Sequence, residues 1–129
     1  MDIVIVAQYL RNIEDFEGNN SRFIYIAKKL IKEGIDSVEI ITSDFSHGKK
    51  QHFKSVGELK RIKITTCHES GYPKNVCLKR FGSHKELAKN IRLYLNERIT
   101  PDLVYTAVPS LDVADVCASY CTRTNVKFV

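Results

Sequence analysis

No stretch of the 129 residues approaches the ~18 consecutive apolar residues of a membrane-spanning helix, which excludes a transmembrane chain. Met1 leads straight into Asp2 and a short apolar run, Ile3 to Val6, with no basic n-region and no small-residue cleavage site, so the expected compartment is the cytoplasm. The four cysteines, Cys67, Cys77, Cys117 and Cys121, form neither a CxxC pair nor a dense disulfide framework, and reduced thiols are expected. Cys117 and Cys121, at i and i+4 with Ala114 and Tyr120, read as core packing. Neither GxxxxGK[ST] nor GxGxxG occurs, which argues against a P-loop and a dinucleotide fingerprint. The third apolar run ends in Thr65-Thr66 and the first is followed by Ala7-Gln8, so a phosphate-accepting aspartate at a strand end is missing too. His47, His52, His68 and His84 show no HxxxH or HExxH spacing, and no metal is expected.

What is present is 43% hydrophobic and 27% charged residues, enough for one core and one domain over residues 1–129. The net charge of +5 is unevenly spread: Lys49 to Lys85 holds ten Lys and Arg against Glu58 and Glu69, a local +8 that leaves −3 for the rest. Such a segment meets phosphates or an anionic surface, or is simply a solvated face.

Ile3 to Val6 is a continuous β-branched run of the kind buried on both sides of a parallel sheet. Phe23, Ile24, Ala27, Leu30 and Ile31 then recur at helical spacing, which predicts a helix from Ser21 to Glu33, with Asn19, Asn20 or Ser21 as cap and Gly34 as left-handed terminator. Val38 to Thr42 and Leu59 to Thr66 predict strands two and three, the latter more exposed. Ser83-His84-Lys85-Glu86 fits a capping box opening a second helix that runs to Pro101. Leu103 to Thr106 is strand four, Pro109-Ser110 opens a third helix with Asp112 in its first turn, and Val126 to Val129 begins strand five. The order β-α-β-β-α-β-α-β implies an α/β class: a Rossmann-like, open, mostly parallel sheet with helices on both faces. A chain ending inside a strand, at Lys127-Phe128-Val129, is expected to be a piece of a longer protein.

Ligands of such sheets bind beyond the carboxyl ends of the strands, where this sequence places three long segments: Gln8 to Asn20, Ser43 to Gly57 and Cys67 to Gly82. Glu17-Gly18-Asn19-Asn20-Ser21-Arg22 is a small-residue turn feeding a helix N-terminus, where amides can hold an anion. No nucleophile, base and orienting group can be placed together from the sequence.

The first strand ending in Gln8-Tyr9, the Gly-containing loop into Ser21-Arg22-Phe23-Ile24-Tyr25-Ile26-Ala27-Lys28-Lys29-Leu30, then Lys32-Glu33-Gly34 and Val38-Glu39-Ile40-Ile41-Thr42-Ser43 resemble the opening of family 4 glycosyltransferases. Pro101-Asp102-Leu103-Val104-Tyr105 and Pro109-Ser110-Leu111 are similar to that family's fourth strand and following turn. The resemblance implies the acceptor-side, N-terminal half of a GT-B enzyme that moves a sugar from a nucleotide-sugar donor to a lipid-diphosphate-linked or saccharide acceptor in surface polysaccharide synthesis. It implies no cofactor and no metal. Catalytic residues and a missing C-terminal domain would lie beyond Val129, so these 129 residues alone would be inactive. It further implies substrate contacts at Gly18, Asn19, Asn20, Arg22 and Ser110, and an anionic membrane or acceptor surface at Lys49, Lys50, Lys54, Lys74, Lys79 and Arg80, with the enzyme peripheral on the inner face of the cell membrane. The other reading is a non-catalytic nucleotide-binding or regulatory module of flavodoxin-like topology. Nucleic acid is not an expected partner, because the basic stretch lacks aromatic interleaving beyond Phe53, Tyr72 and Phe81.

Overall fold

The computed structural model describes residues 1–18, 21–107 and 110–129. The run Asp2–Val6 forms β1, whose last four residues are buried because helices cover both of its faces. It is the centre of a five-stranded parallel sheet. On one side of it lies β2 (Ser37–Ser43), flanked by the edge strand β5 (Ile62–Cys67); on the other lie β6 (Leu103–Thr106) and the short edge strand β7 (Lys127–Phe128). β5 is buried only at its two ends, Ile62 and Cys67, and its middle is partly or fully exposed, as suits a strand at the edge of the sheet.

In main-sheet sequence the spatial order is therefore 3-2-1-4-5, the Rossmann order. A flavodoxin-like order would be 2-1-3-4-5, so that element of the alternative reading is corrected. Between β2 and β5 the chain makes no helix. It folds a small antiparallel pair, β3 (Phe45–Ser46) with β4 (Gln51–His52), that the sequence did not announce.

α1 (Arg22–Lys32) packs Ile24 and Ala27 with Ile3, Ile5, Val38 and Ile40 on one face of the sheet. Gly34 ends it at φ +94°, a backbone that a side chain would strain. α2 (Leu78–Glu97) and α3 (Leu111–Thr124) cover the opposite face, where Leu87, Ile91 and Leu95 meet Val4, Val6, Val104, Val113 and Cys117. Residues three or four apart along α2 thus form the buried stripe.

The expected capping box at Ser83 is not formed. α2 begins five residues earlier, at Leu78 after Cys77, and both box side chains are used elsewhere. Ser83 Oγ donates to Glu69 and accepts from the Gly71 amide at 2.9 Å, while Glu86 Oε2 accepts from Ser70 at 2.8 Å. Tertiary partners for both groups outbid the local cap. At α3 the local signal holds: Ser110 Oγ accepts from the Val113 amide at 3.4 Å and Asp112 lies in the first turn. Pro109 lies outside the described residues.

Away from the carboxyl edge, Arg98 at the end of α2 joins two strands. Its Nε donates to Glu39 Oε2 at 3.0 Å and its Nη2 to Asp2 Oδ2 at 2.8 Å. Glu39 also accepts from Thr65 Oγ1 at 2.5 Å, from the Tyr94 hydroxyl and from Lys63 Nζ at 3.2 Å. Burial opposes its charge, but these donors hold its carboxyl below the usual range.

Candidate functional site

The order of the sheet reverses between β1 and β6, so a ligand crevice is expected beyond their carboxyl ends. Gln8, two residues past β1, is buried there. Its backbone carbonyl accepts from the Ser43 amide at 3.1 Å, yet neither atom of its side-chain amide has a well-formed hydrogen bond among the described residues. Tyr9 follows, stacked on His47 at 5.0 Å, and its hydroxyl accepts from that of Tyr72 at 3.1 Å. Burial raises the Tyr9 and Tyr72 phenols, so both are neutral at physiological pH.

Tyr72 is clamped by two cations of the basic segment. Lys50 Nζ lies 4.9 Å and the Arg80 guanidinium 5.8 Å from its ring centroid, and Lys50 donates to the His47 carbonyl at 2.5 Å. These two side chains are therefore half-buried parts of the edge rather than open surface; Lys49, Lys54, Lys74 and Lys79 remain exposed. The six residues expected to form one docking surface divide into four on the surface and two in the site.

His84 on α2 sits beside this aromatic cluster, its ring 5.8 Å from Tyr72, and is 6% exposed. Its Nε2 is buried without a hydrogen-bond partner among the described residues. Burial first, and then the charge of Arg80, hold it below the ordinary histidine range, which leaves it neutral at pH 7. Next to it is a hollow of about 570 Å³ walled by Arg80, Phe81, His84, Ser110, Leu111 and Asp112. The first turn of α3 supplies amide dipoles at one end, Arg80 a fixed positive charge, and exposed Phe81 and Leu111 an apolar rim.

Glu69, wholly buried past the end of β5, ties the edge together. It accepts from Ser43 Oγ at 2.5 Å and from Ser83, so the exits of β2 and β5 are pinned to α2. Burial raises its carboxyl despite those donors. Sequence reading missed Glu69, Gln8 and His84 as site groups, because each gains its meaning from neighbours remote in the chain. A buried polar residue directly after a strand was the one signal available for Gln8 and Glu69.

Of the substrate contacts implied by the resemblance, Ser110 lines the hollow, joined there by Arg80 from the basic set. Gly18 has φ +68° and a Cβ added to it would meet nothing within 4 Å. Its positive φ favours glycine, and no described residue closes on it. Arg22 is exposed, with its guanidinium 5.0 Å from the Phe23 ring on the α1 side of the sheet. Asn19 and Asn20 lie outside the described residues. The four histidines, which share no metal-ligand spacing in the sequence, all gather at this edge. Among the described residues, Asp44, His52 and His68 bring three metal-capable atoms within 4.8 Å of one another.

No family model matches the chain, and no curated protein matches it. Among solved structures, the C-terminal domain of a hydrogenase from Pyrococcus furiosus aligns with 99% of this chain and 89% of its own, at 16% identity and a TM-score of 0.49. That likeness carries no functional argument. The comparisons correct the family expectation. With no glycosyltransferase model matching, the resemblance to family 4 is withdrawn, and the cadence that carried it is one that parallel α/β sheets share. The α/β class itself stands, as a parallel five-stranded sheet flanked by helices. None of the described helices is long and apolar enough to cross a membrane.

Proposed function

We propose that this domain binds a small phosphorylated molecule of the nucleotide class in the hollow between α2 and the start of α3. The observation that carries the reading is His84: a neutral imidazole buried beside that hollow with Nε2 unpartnered among the described residues, a costly arrangement unless a ligand completes it. Its surroundings suit a phosphate. Arg80 offers a charged donor, the α3 terminus and Ser110 offer dipoles, and Phe81 with Leu111 give an apolar face for a ring. Asp112 on the same wall can accept from a hydroxyl of the ligand. Sugar transfer rested on the withdrawn resemblance and is not part of this reading.

Calorimetric titration with ADP, UDP and pyrophosphate, beside adenosine and uridine, tests it. The phosphate-bearing compounds are expected to bind and the nucleosides to bind at least tenfold more weakly. Arg80→Gln, which removes a charge-assisted hydrogen bond of about 1.5–3 kcal/mol, should weaken binding roughly 10- to 100-fold. Absence of binding by all three phosphates at millimolar concentration, or unchanged affinity in Arg80→Gln, refutes it.

A further inference from the structure

Apart from the hollow, the exits of β2 and β5 build a second constellation. β2 and β5 run parallel with Ser43 opposite Cys67, so the next residues, Asp44 and His68, leave the sheet side by side. The Asp44 amide donates to the Cys67 carbonyl at 3.0 Å, fixing that juxtaposition. The β3–β4 pair then folds back: Phe45 is opposite His52, and the Phe53 amide donates to the Asp44 carbonyl at 2.9 Å. The exit of β2, the hairpin that follows it and the exit of β5 are thereby locked by backbone bonds around one carboxylate.

We propose that Asp44, His52 and His68 bind a divalent transition-metal ion of the zinc type. Asp44 Oδ2 is 2.7 Å from His68 Nδ1 and Asp44 Oδ1 is 3.8 Å from His52 Nε2. Ligands held at ~2.0–2.2 Å in a tetrahedron stand roughly 3.3 Å apart, so the two separations bracket what a bound ion requires. The rings of His52 and His68 stack at 5.5 Å and 18°, which turns both edges toward the same carboxylate. Two imidazoles and one carboxylate suit zinc and its neighbours rather than calcium or magnesium, which take oxygen ligands.

A second observation points the same way. His68 Nε2, the nitrogen turned away from Asp44, lies 3.7 Å from Glu86 Oε1, and Glu86 is itself held by Ser70 Oγ at 2.8 Å. Glu86 Oε1 is shielded from solvent and has no hydrogen-bond partner among the described residues. A metal on Nδ1 places the ring proton on Nε2, facing that oxygen, which is the carboxylate–histidine–metal arrangement that orients a ligand and raises its basicity. His52 Nε2 donates to the Glu69 carbonyl at 2.6 Å and His68 Nδ1 to Asp44 Oδ2 at 2.7 Å, so a bound ion takes the place of those two ring protons and its uptake releases them. Both histidines are exposed, 43% and 61% at the side chain, so water completes the coordination and the ion exchanges with solvent.

The chelator-treated protein titrated with Zn²⁺ is expected to take up one equivalent per chain and to unfold at a higher temperature with the ion bound. Co²⁺ should give visible ligand-field bands without thiolate-to-metal charge transfer. His52→Gln/His68→Gln should lose the equivalent. Glu86→Gln, which leaves the three ligands in place, should weaken it ~10- to 100-fold. The proposal is overturned by no saturable equivalent in the wild type, by a thiolate band that assigns the ion to a cysteine, or by undiminished affinity in the double variant. The wild-type cobalt spectrum decides even where a variant fails to fold, and none of these readings depends on the ligand of the neighbouring hollow.

Discussion

Replacing Arg98 by methionine keeps most of the side-chain volume and removes the charge that spans Glu39 and Asp2. The Glu39 side chain is 4% exposed and that of Arg98 13%, so solvent screens the pair little. Removing one partner of a buried ion pair costs about 3–5 kcal/mol. Glu39 keeps Thr65, Tyr94 and Lys63 as donors, which places the expected loss near the lower end, about 3 kcal/mol at pH 7. For a domain of this size that corresponds to a fall in Tm of roughly 10–15 °C. The pH dependence identifies the cause. The folded-state pKa of Glu39 is depressed, so its contribution is full above the ordinary carboxylate value and is lost as pH falls through the lower, folded value. Without Arg98, burial lifts the Glu39 pKa, the carboxyl takes up a proton on acidification, and the gap between variant and wild type narrows. Arg98→Met/Glu39→Gln should recover part of the loss at pH 7, because no buried charge is left unpaired. Urea denaturation at pH 7 and at mildly acidic pH measures all of this. A loss under 1 kcal/mol at pH 7, or a gap that stays constant on acidification, refutes the reasoning.

Gly71 lies at φ +82° with an added Cβ only 2.6 Å from the Phe45 ring, so Gly71→Ala combines strain with overpacking and should cost about 2–4 kcal/mol in chemical denaturation. Gly18 shares the positive φ but has open space around it; Gly18→Ala should cost only about 1 kcal/mol and leave phosphate titrations unchanged. Burial pushes the Cys67 and Cys117 thiols up to about 12 and raises that of Cys121, so a thiol-specific chromogenic reagent should modify Cys77 in the native protein and the other three only on unfolding.

Period and punctuation determined much of this protein. The β-branched run Ile3 to Val6 can only be buried on both faces, the stripe from Phe23 to Ile31 can only lie on one, and Gly34 and Ser110 end and begin helices through groups in their own turns. Such features rest on local interactions, which adjacent residues suffice to specify. The same reasoning failed at Ser83 and Glu86, whose hydroxyl and carboxylate found Glu69, Gly71 and Ser70 across the fold instead of each other. It failed more widely at the carboxyl edge. Asp44, His52 and His68 carry no spacing rule because three different segments deliver them, and His84 meets Ser110 and Asp112 only once α2 packs on α3. Parallel strands need long connections, so residues that end neighbouring strands are remote in the chain by construction. The sheet was therefore written in the sequence by local pattern, whereas the candidate sites exist only because the strand order 3-2-1-4-5 sets the exits of its strands side by side.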